Sequence, residues 1–240
     1  MKQEINISSY KIMFSGKEFG NMDSRFNDKS IVEANRKKLE DYFNKSAFLG
    51  MSTSAENTLI DVDDSFPISS WNFIECDGYF TNNKQNCLTL FPADCIPLVI
   101  YSVKNFNLGL VHIGHKNALT GIHKKALSHM LKDRHEEIKN LRFYIGPSIR
   151  KESYYFDDIN EKQKKSDSWK PYIELINQKY HIDLQGFIIS ELIHLGVGEY
   201  QIEDSMIDTY GNNFFSHRRS LIENSPEGRN IFSVGFSSGN

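Results

Sequence analysis

Apolar residues in this chain fall into short runs separated by Pro, Asn and Gly, with longer stretches at helical spacing between them. CLTLF, PLVIYS, LGLVHI and LRFYIG are brief β-branched or aromatic runs and read as strands. Between the last two, ALTGIHKKALSHMLKD places Leu119, Ile122, Ala126, Leu127, Met130 and Leu131 on one helical face. The middle therefore predicts three strands, a helix and another strand. Upstream, SIVEANRKKLEDYF spaces Ile31, Val32, Ala34, Leu39, Tyr42 and Phe43 as a helix with Asp28 or Ser30 as cap. NTLIDVDDS reads as a short strand ending in an acidic turn and followed by a loop. Downstream, WKPYIELINQKY and LQGFIISELIHLGV read as amphipathic helices, the second stopped by Gly196 and Gly198. A strand in YQIEDSMI, a polar loop carrying SHRRS and a closing strand NIFSVGF complete the pattern. No internal repeat or low-complexity linker interrupts it. The expectation is one α+β domain over residues 1–240, a mixed sheet with flanking helices.

Composition narrows the function classes. Lys+Arg 28 against Asp+Glu 31 gives a net charge of −3, so no overall field attracts nucleic acid or an anionic membrane. Small or locally recognised partners fit better. Cys76, Cys87 and Cys95 are odd in number and form no C-x-x-C pair, which points to reduced thiols in a cytoplasmic protein. The first residues lack a signal-peptide core, and the most apolar segment, CLTLFPADCIPLVIY, contains Asp94 and two prolines and is too short to span a bilayer.

Two residues draw attention on chemical grounds. Cys95 precedes the PLVIYS strand and His112 ends the LGLVHI strand, where loops converge on ligands. A cysteine beside an apolar strand is ordinarily inert packing, and a reactive one needs a partner that favours thiolate. His112 is available for that role. A zinc centre needs a third ligand, and His115, Cys76 or Asp77 could each complete one, none at a diagnostic spacing. GVGEY and HEEIK fall short of the dinucleotide and zincin motifs, and neither G-x-S-x-G nor a phosphate loop is present. SHRRS carries Arg218 and Arg219, whose guanidinium forks suit phosphate.

The order of several segments resembles one family, the YfiH-type laccase-domain proteins, whose members include purine nucleoside phosphorylases. The segments are FSGK (14–17), VEANR (32–36), DGYFT (77–81), ADCIP (93–97), HIGHKN (112–117), IGPSI (145–149), SHRR (216–219) and EGR (227–229). They match the family's Phe-Ser-Thr-Arg, Val-x-x-Asn-Arg, Asp-Ala-x-x-Thr, Ala-Asp-Cys-x-Pro, His-Ala-Gly-Trp-Arg-Gly, Ile-Gly-Pro-x-Ile, Ser-Tyr-Arg-Arg and Gly-Arg in the same order over nearly the whole chain.

The resemblance implies a zinc ion held by Cys95 and His112, and phosphorolysis of adenosine, inosine or guanosine, with adenosine deamination in some members. Copper-dependent phenol oxidation is the less expected alternative. Phosphate would be held by Lys116, Arg218 and Arg219, with Asp94, Cys95 and His112 orienting the reactants. The family's first ligand, a His in a Gln-x-His strand, falls on Ser54, and His115, Lys116 and Asn117 replace its Trp-Arg-Gly. His115, or else Cys76, is therefore the expected substitute ligand. Two other expectations stand beside this one: a metal-free Cys95–His112 hydrolase or deamidase, and a family member that has kept only a binding role.

Overall fold

The computed structural model describes residues 2–7, 9–43, 47–62 and 71–237. In chain order its strands begin with β1 (Lys2–Ile7), β2 (Tyr10–Ser15), β3 (Ala47–Ser52), β4 (Leu59–Asp61) and β5 (Trp71–Glu75). Next come β6 (Gly78–Thr81), β7 (Asn86–Leu90), β8 (Ile96–Ser102), β9 (Leu108–Ile113) and β10 (Leu141–Ile145). The last are β11 (Tyr155–Phe156), β12 (Ile173–Ile176), β13 (Lys179–Ile182), β14 (Ile202–Asp204) and β15 (Ile231–Phe236). The helices are α1 (Lys29–Phe43), α2 (His115–Leu119), α3 (Ile122–Lys132), α4 (Glu161–Lys165), α5 (Leu184–His194) and α6 (His217–Glu223).

Two six-stranded sheets form the body, ordered β1-β2-β15-β7-β3-β5 and β14-β10-β8-β9-β6-β4. Their inner faces meet through Ile12, Phe14, Leu49, Leu88 and Phe232 of the first and Tyr79, Val99, Leu110 and Tyr144 of the second. The outer face of the first sheet packs Met13, Phe48 and Cys87 against Leu39 of α1. The outer face of the second packs Leu98, Val111 and Phe143 against Ala126 and Met130 of α3 and Phe187 and Leu192 of α5. The result is a mixed α+β architecture with the sheets inside and helices outside. Because both faces of each sheet are covered, strands such as β8 are buried at every residue, and their sequence runs apolar instead of alternating. The Tyr79 hydroxyl ties the sheets together, donating to Leu49 O at 2.6 Å and accepting from Thr89 N at 2.9 Å.

The predicted β7, β8, β9 and β10 strands, α1, α5 and β15 all form. The helix expected after β9 is two helices, because Gly121 adopts a left-handed conformation (φ +78°) between α2 and α3. Gly196, also left-handed at φ +95°, ends the turn after α5. Two expectations fail. WKPYIELINQKY is a short 3-10 turn and the β12–β13 hairpin, not a helix. Its helical apolar spacing is overridden by Asn177 and Gln178, both left-handed, which close a tight hairpin turn. SHRRS is not a loop: Ser216 caps α6 by accepting from Arg219 N at 3.1 Å. The acidic turn expected after β4 lies outside the described residues. Among the described residues, no helix is long and apolar enough to cross a membrane.

The packing between α3 and α5 carries a pH consequence. His123 is fully buried there, 3.7 Å from Glu191. Burial pushes its pKa down to about 4, with the Lys124 charge adding to the fall and Glu191 opposing it. The unfolded chain then binds a proton that the folded chain refuses, so stability drops as pH falls from about 6.5 toward 4. Urea titrations at pH 7 and pH 4.5 should differ by an extra 2–3 kcal/mol, roughly, relative to His123→Leu, which lacks this group. Equal acid losses in both proteins would contradict it.

Candidate active site

Strand register explains how Cys95 and His112 meet. In the β8–β9 pair, Ile96 lies opposite Ile113 and Pro97 opposite His112, so Cys95 continues the ladder toward Gly114. Residues two apart on a strand share a face, so the two side chains point the same way. A Cβ built on Gly114 would stand 3.3 Å from Cys95 Sγ and 3.6 Å from His112 Cε1. A side chain there would crowd the sulfur and touch the ring, so the glycine leaves room where the two converge.

The neighbouring strand supplies a third member. Gly78 pairs with Val111 in the β6–β9 ladder, which sets Asp77 beside His112, and His112 N donates to Asp77 O at 2.8 Å. Asp77 Oδ1 stands 3.6 Å from His112 Nδ1, an ion-pair separation. The buried carboxylate also accepts from Ser54 Oγ (2.8 Å), Ala55 N (2.9 Å) and Glu56 N (3.0 Å). Burial by itself would raise the Asp77 carboxyl, but His112, Ser54 and Ala55 reverse this and hold it well below the usual carboxylate range. Burial likewise works against the His112 imidazolium. The charges and hydrogen bonds of Cys95 and Asp77 outweigh it and hold the pKa up at about 9. With Nδ1 turned to Asp77, Nε2 is the ring nitrogen directed away from that carboxylate.

Cys95 and His112 open onto a cavity of about 760 Å³. Its other walls are the 22–25 loop, Arg36 of α1, Met51, Ser52 and Thr53 at the end of β3, Phe73 of β5, the 90–93 segment, His217 and Arg229. The cavity thus sits at the carboxyl ends of the parallel strands β3, β5 and β7.

Several expected site residues lie elsewhere. His115 faces away: its Nε2 meets Gln163 Oε1 at 2.8 Å and its Nδ1 meets Tyr154 Oη at 3.3 Å, beside Trp169 and Phe156. Burial and the Arg218 charge push its pKa down, and neither ring nitrogen is left for a metal. Cys76 is buried between the sheets, where desolvation pushes its thiol up to about 12. Asp94 does not face the cavity. Its left-handed backbone (φ +85°) turns the carboxylate back to accept from Thr209 Oγ1 (2.8 Å), Ser216 Oγ (3.0 Å) and Arg218 N (2.6 Å), while Cys95 faces forward. Asp94 is a positioning residue that ties α6 to the cysteine loop. Arg219 is buried, with Nη1 donating to Tyr210 O at 2.6 Å and Nη2 to Phe214 O. Arg218 stacks 4.2 Å from the Phe156 ring centre, and Lys116 is exposed on α2. None of these three cations lines the cavity.

The donor set does not fit a three-ligand zinc or copper centre. Ser54, placed by sequence at the missing imidazole position, is spent on Asp77, and the residues of that segment that reach the cavity are Met51, Ser52 and Thr53. Hydroxyls are weak substitutes for imidazole at a soft or borderline metal. Among the described residues, no three His, Cys, Asp or Glu side chains gather as a metal group.

Sequence reasoning weighed Asp77 only as a metal ligand and gave no role to Arg36, Arg229, Phe73 or Phe91. Arg36 and Arg229 do occur in the VEANR and EGR segments, which was the available signal.

Residues 13–237 match the family model described as multi-copper polyphenol oxidoreductase laccase. The chain is 30% identical, over 98% of both chains, to the purine nucleoside phosphorylase of Rickettsia conorii. It is 32% identical to a Staphylococcus aureus protein of that name over 66% of this chain and 59% of the relative. In fold it resembles the hypothetical protein YfiH of Bacillus licheniformis, with a TM-score of 0.83 and 23% identity over 95% of this chain and 93% of that one. YlmD of Geobacillus stearothermophilus superposes with a TM-score of 0.77 at 22% identity, over 95% and 92% of the two chains.

Proposed function

The chain belongs to the multi-copper polyphenol oxidoreductase laccase family, and from that membership we propose that it is a purine nucleoside phosphorylase working in the Cys95–His112 cavity. The observation that carries the proposal is the pairing of an Asp77-backed His112 with an aromatic and cationic wall in one cavity, in a chain resembling the Rickettsia enzyme over almost its full length.

The chemistry is displacement at the ribose anomeric carbon. A phosphate oxygen forms the new bond to C1′ as the C1′–N9 bond breaks, and the electron pair leaves with the base. The departing purine takes a proton from His112 Nε2, and the products are free base and ribose 1-phosphate. Asp77 holds the ring and stabilises its charged form, while Phe73, half-exposed at the cavity wall, offers a face on which a purine can stack. Cys95 flanks the ring within the same cavity. No step is routed through a metal, because the donor set described above does not hold one as the family pattern would.

Purified protein incubated with inosine, adenosine or guanosine should release free base only when phosphate is added, read by chromatography of base and nucleoside. Base release that ignores phosphate, or no release from any of the three, would sink the proposal.

A further inference from the structure

The cavity's cations are unequally partnered. Arg25 is held by Asp23, Lys29 lies 3.8 Å from Glu33, and Arg229 and His217 share Glu227 at 3.2 and 2.9 Å. Among the described residues, no carboxylate forms an ion pair with Arg36, and the Asp23 and Glu33 charges act on it only from a distance. Its Nη2 donates to Met22 O at 2.8 Å, and its Nε is buried with no hydrogen-bond partner. The guanidinium lies 4.5 Å from the ring centre of Phe73, 5.3 Å from Phe91 and 5.6 Å from Trp71. These rings fix its plane and shield it from water, yet they bring no negative charge. Withdrawing a cation and an N–H from water without a contacting counter-charge is costly. A half-buried guanidinium that lines a cavity and has no ion-pair partner among the described residues is complementary to an anion.

We infer that Arg36 is the residue that grips the anionic substrate, a tetrahedral oxyanion of the inorganic phosphate class, through the part of its guanidinium that lines the cavity. Arg36 takes the role that sequence assigned to Lys116, Arg218 and Arg219. Arg229 lines the same cavity and meets Arg36 at one residue, since Met22 N donates to Arg229 O at 3.2 Å while Met22 O accepts from Arg36. Only the identity of the anion rests on the phosphorylase reading. The site itself rests on the unpartnered guanidinium.

Isothermal titration of the full chain with inorganic phosphate alone, without nucleoside, tests it. Wild type should bind, Arg36→Met should bind at least tenfold more weakly, and Lys116→Ala should match wild type. If Arg36→Met is unfolded by circular dichroism, Arg36→Lys gives the same readout, since it keeps charge and loses the planar fork. Equal phosphate affinity in wild type and the Arg36 variant, or no binding by wild type, overturns the inference. Arg36-dependent phosphate binding in a protein that releases no base would instead refute the enzymatic reading and leave the anion site standing. Phosphorolysis with an unchanged KM for phosphate in Arg36→Met would do the reverse.

Discussion

Replacing His112 with glutamine should lower phosphate-dependent base release by roughly 10²–10⁴-fold while the circular dichroism spectrum stays that of wild type. The amide keeps polarity and approximate size but cannot deliver a proton to the leaving base. The wild-type rate should also carry a high-pH limb. With the ring held at about 9, the imidazolium acid persists through neutral pH and activity is lost as pH rises through that value. Asp77→Asn separates positioning from proton donation. It removes a charge that favours the imidazolium, so the limb should move to lower pH while His112 remains in place. A limb that stays put in Asp77→Asn, or a His112→Gln enzyme within a few-fold of wild type, would remove His112 from the mechanism.

The second large effect concerns stability. Arg219→Ala should destabilise the fold by roughly 2–5 kcal/mol, because the buried carbonyls of Tyr210 and Phe214 lose a charged donor and have no water to replace it. Arg218→Ala leaves only an aromatic contact unmade and should cost about 1 kcal/mol. Chemical denaturation of the two variants reads the contrast directly. Similar losses for both, or an Arg219→Ala protein as stable as wild type, would contradict the buried role. The comparison also separates the structural arginine of SHRR from its neighbour, since the two are equivalent by composition.

Elements whose pattern is dominated by local physics were legible. The runs that form β7 to β10 and β15 are apolar at nearly every position because they are covered on both faces, and α1 and α5 carry spacing that nothing nearby contradicts. Where a turn overruled periodicity, the reading failed. The pair Asn177 and Gln178 bends 173–182 into a hairpin, and a serine cap with a carboxylate behind it winds SHRR into a helix. The terminal strands β1 and β2 could not be found from local pattern, because β2 is completed by β15 from the far end of the chain.

The same division runs through the site. Sequence by itself determined that Cys95 and His112 flank two successive strands, that the collinear segments point to one family, and that its first imidazole is replaced by a hydroxyl residue. Only the tertiary structure decided which neighbours share that face. Antiparallel register sets Asp77 opposite His112 at the end of β6 and puts Cys95 two residues before Pro97, the residue across from His112 on β8, while a single helical turn carries His115 away, into the aromatic cluster of Tyr154, Phe156 and Trp169. Charge alone ranked Lys116, Arg218 and Arg219 as anion binders. Lys116 is exposed on α2, Arg218 stacks on Phe156 and Arg219 is buried in bonds to carbonyls, which leaves Arg36, from a helix far away in sequence, on the cavity wall with no ion-pair partner among the described residues. Side-chain direction and long-range partnership are properties of the assembled sheets, so no local pattern of residues could have specified them.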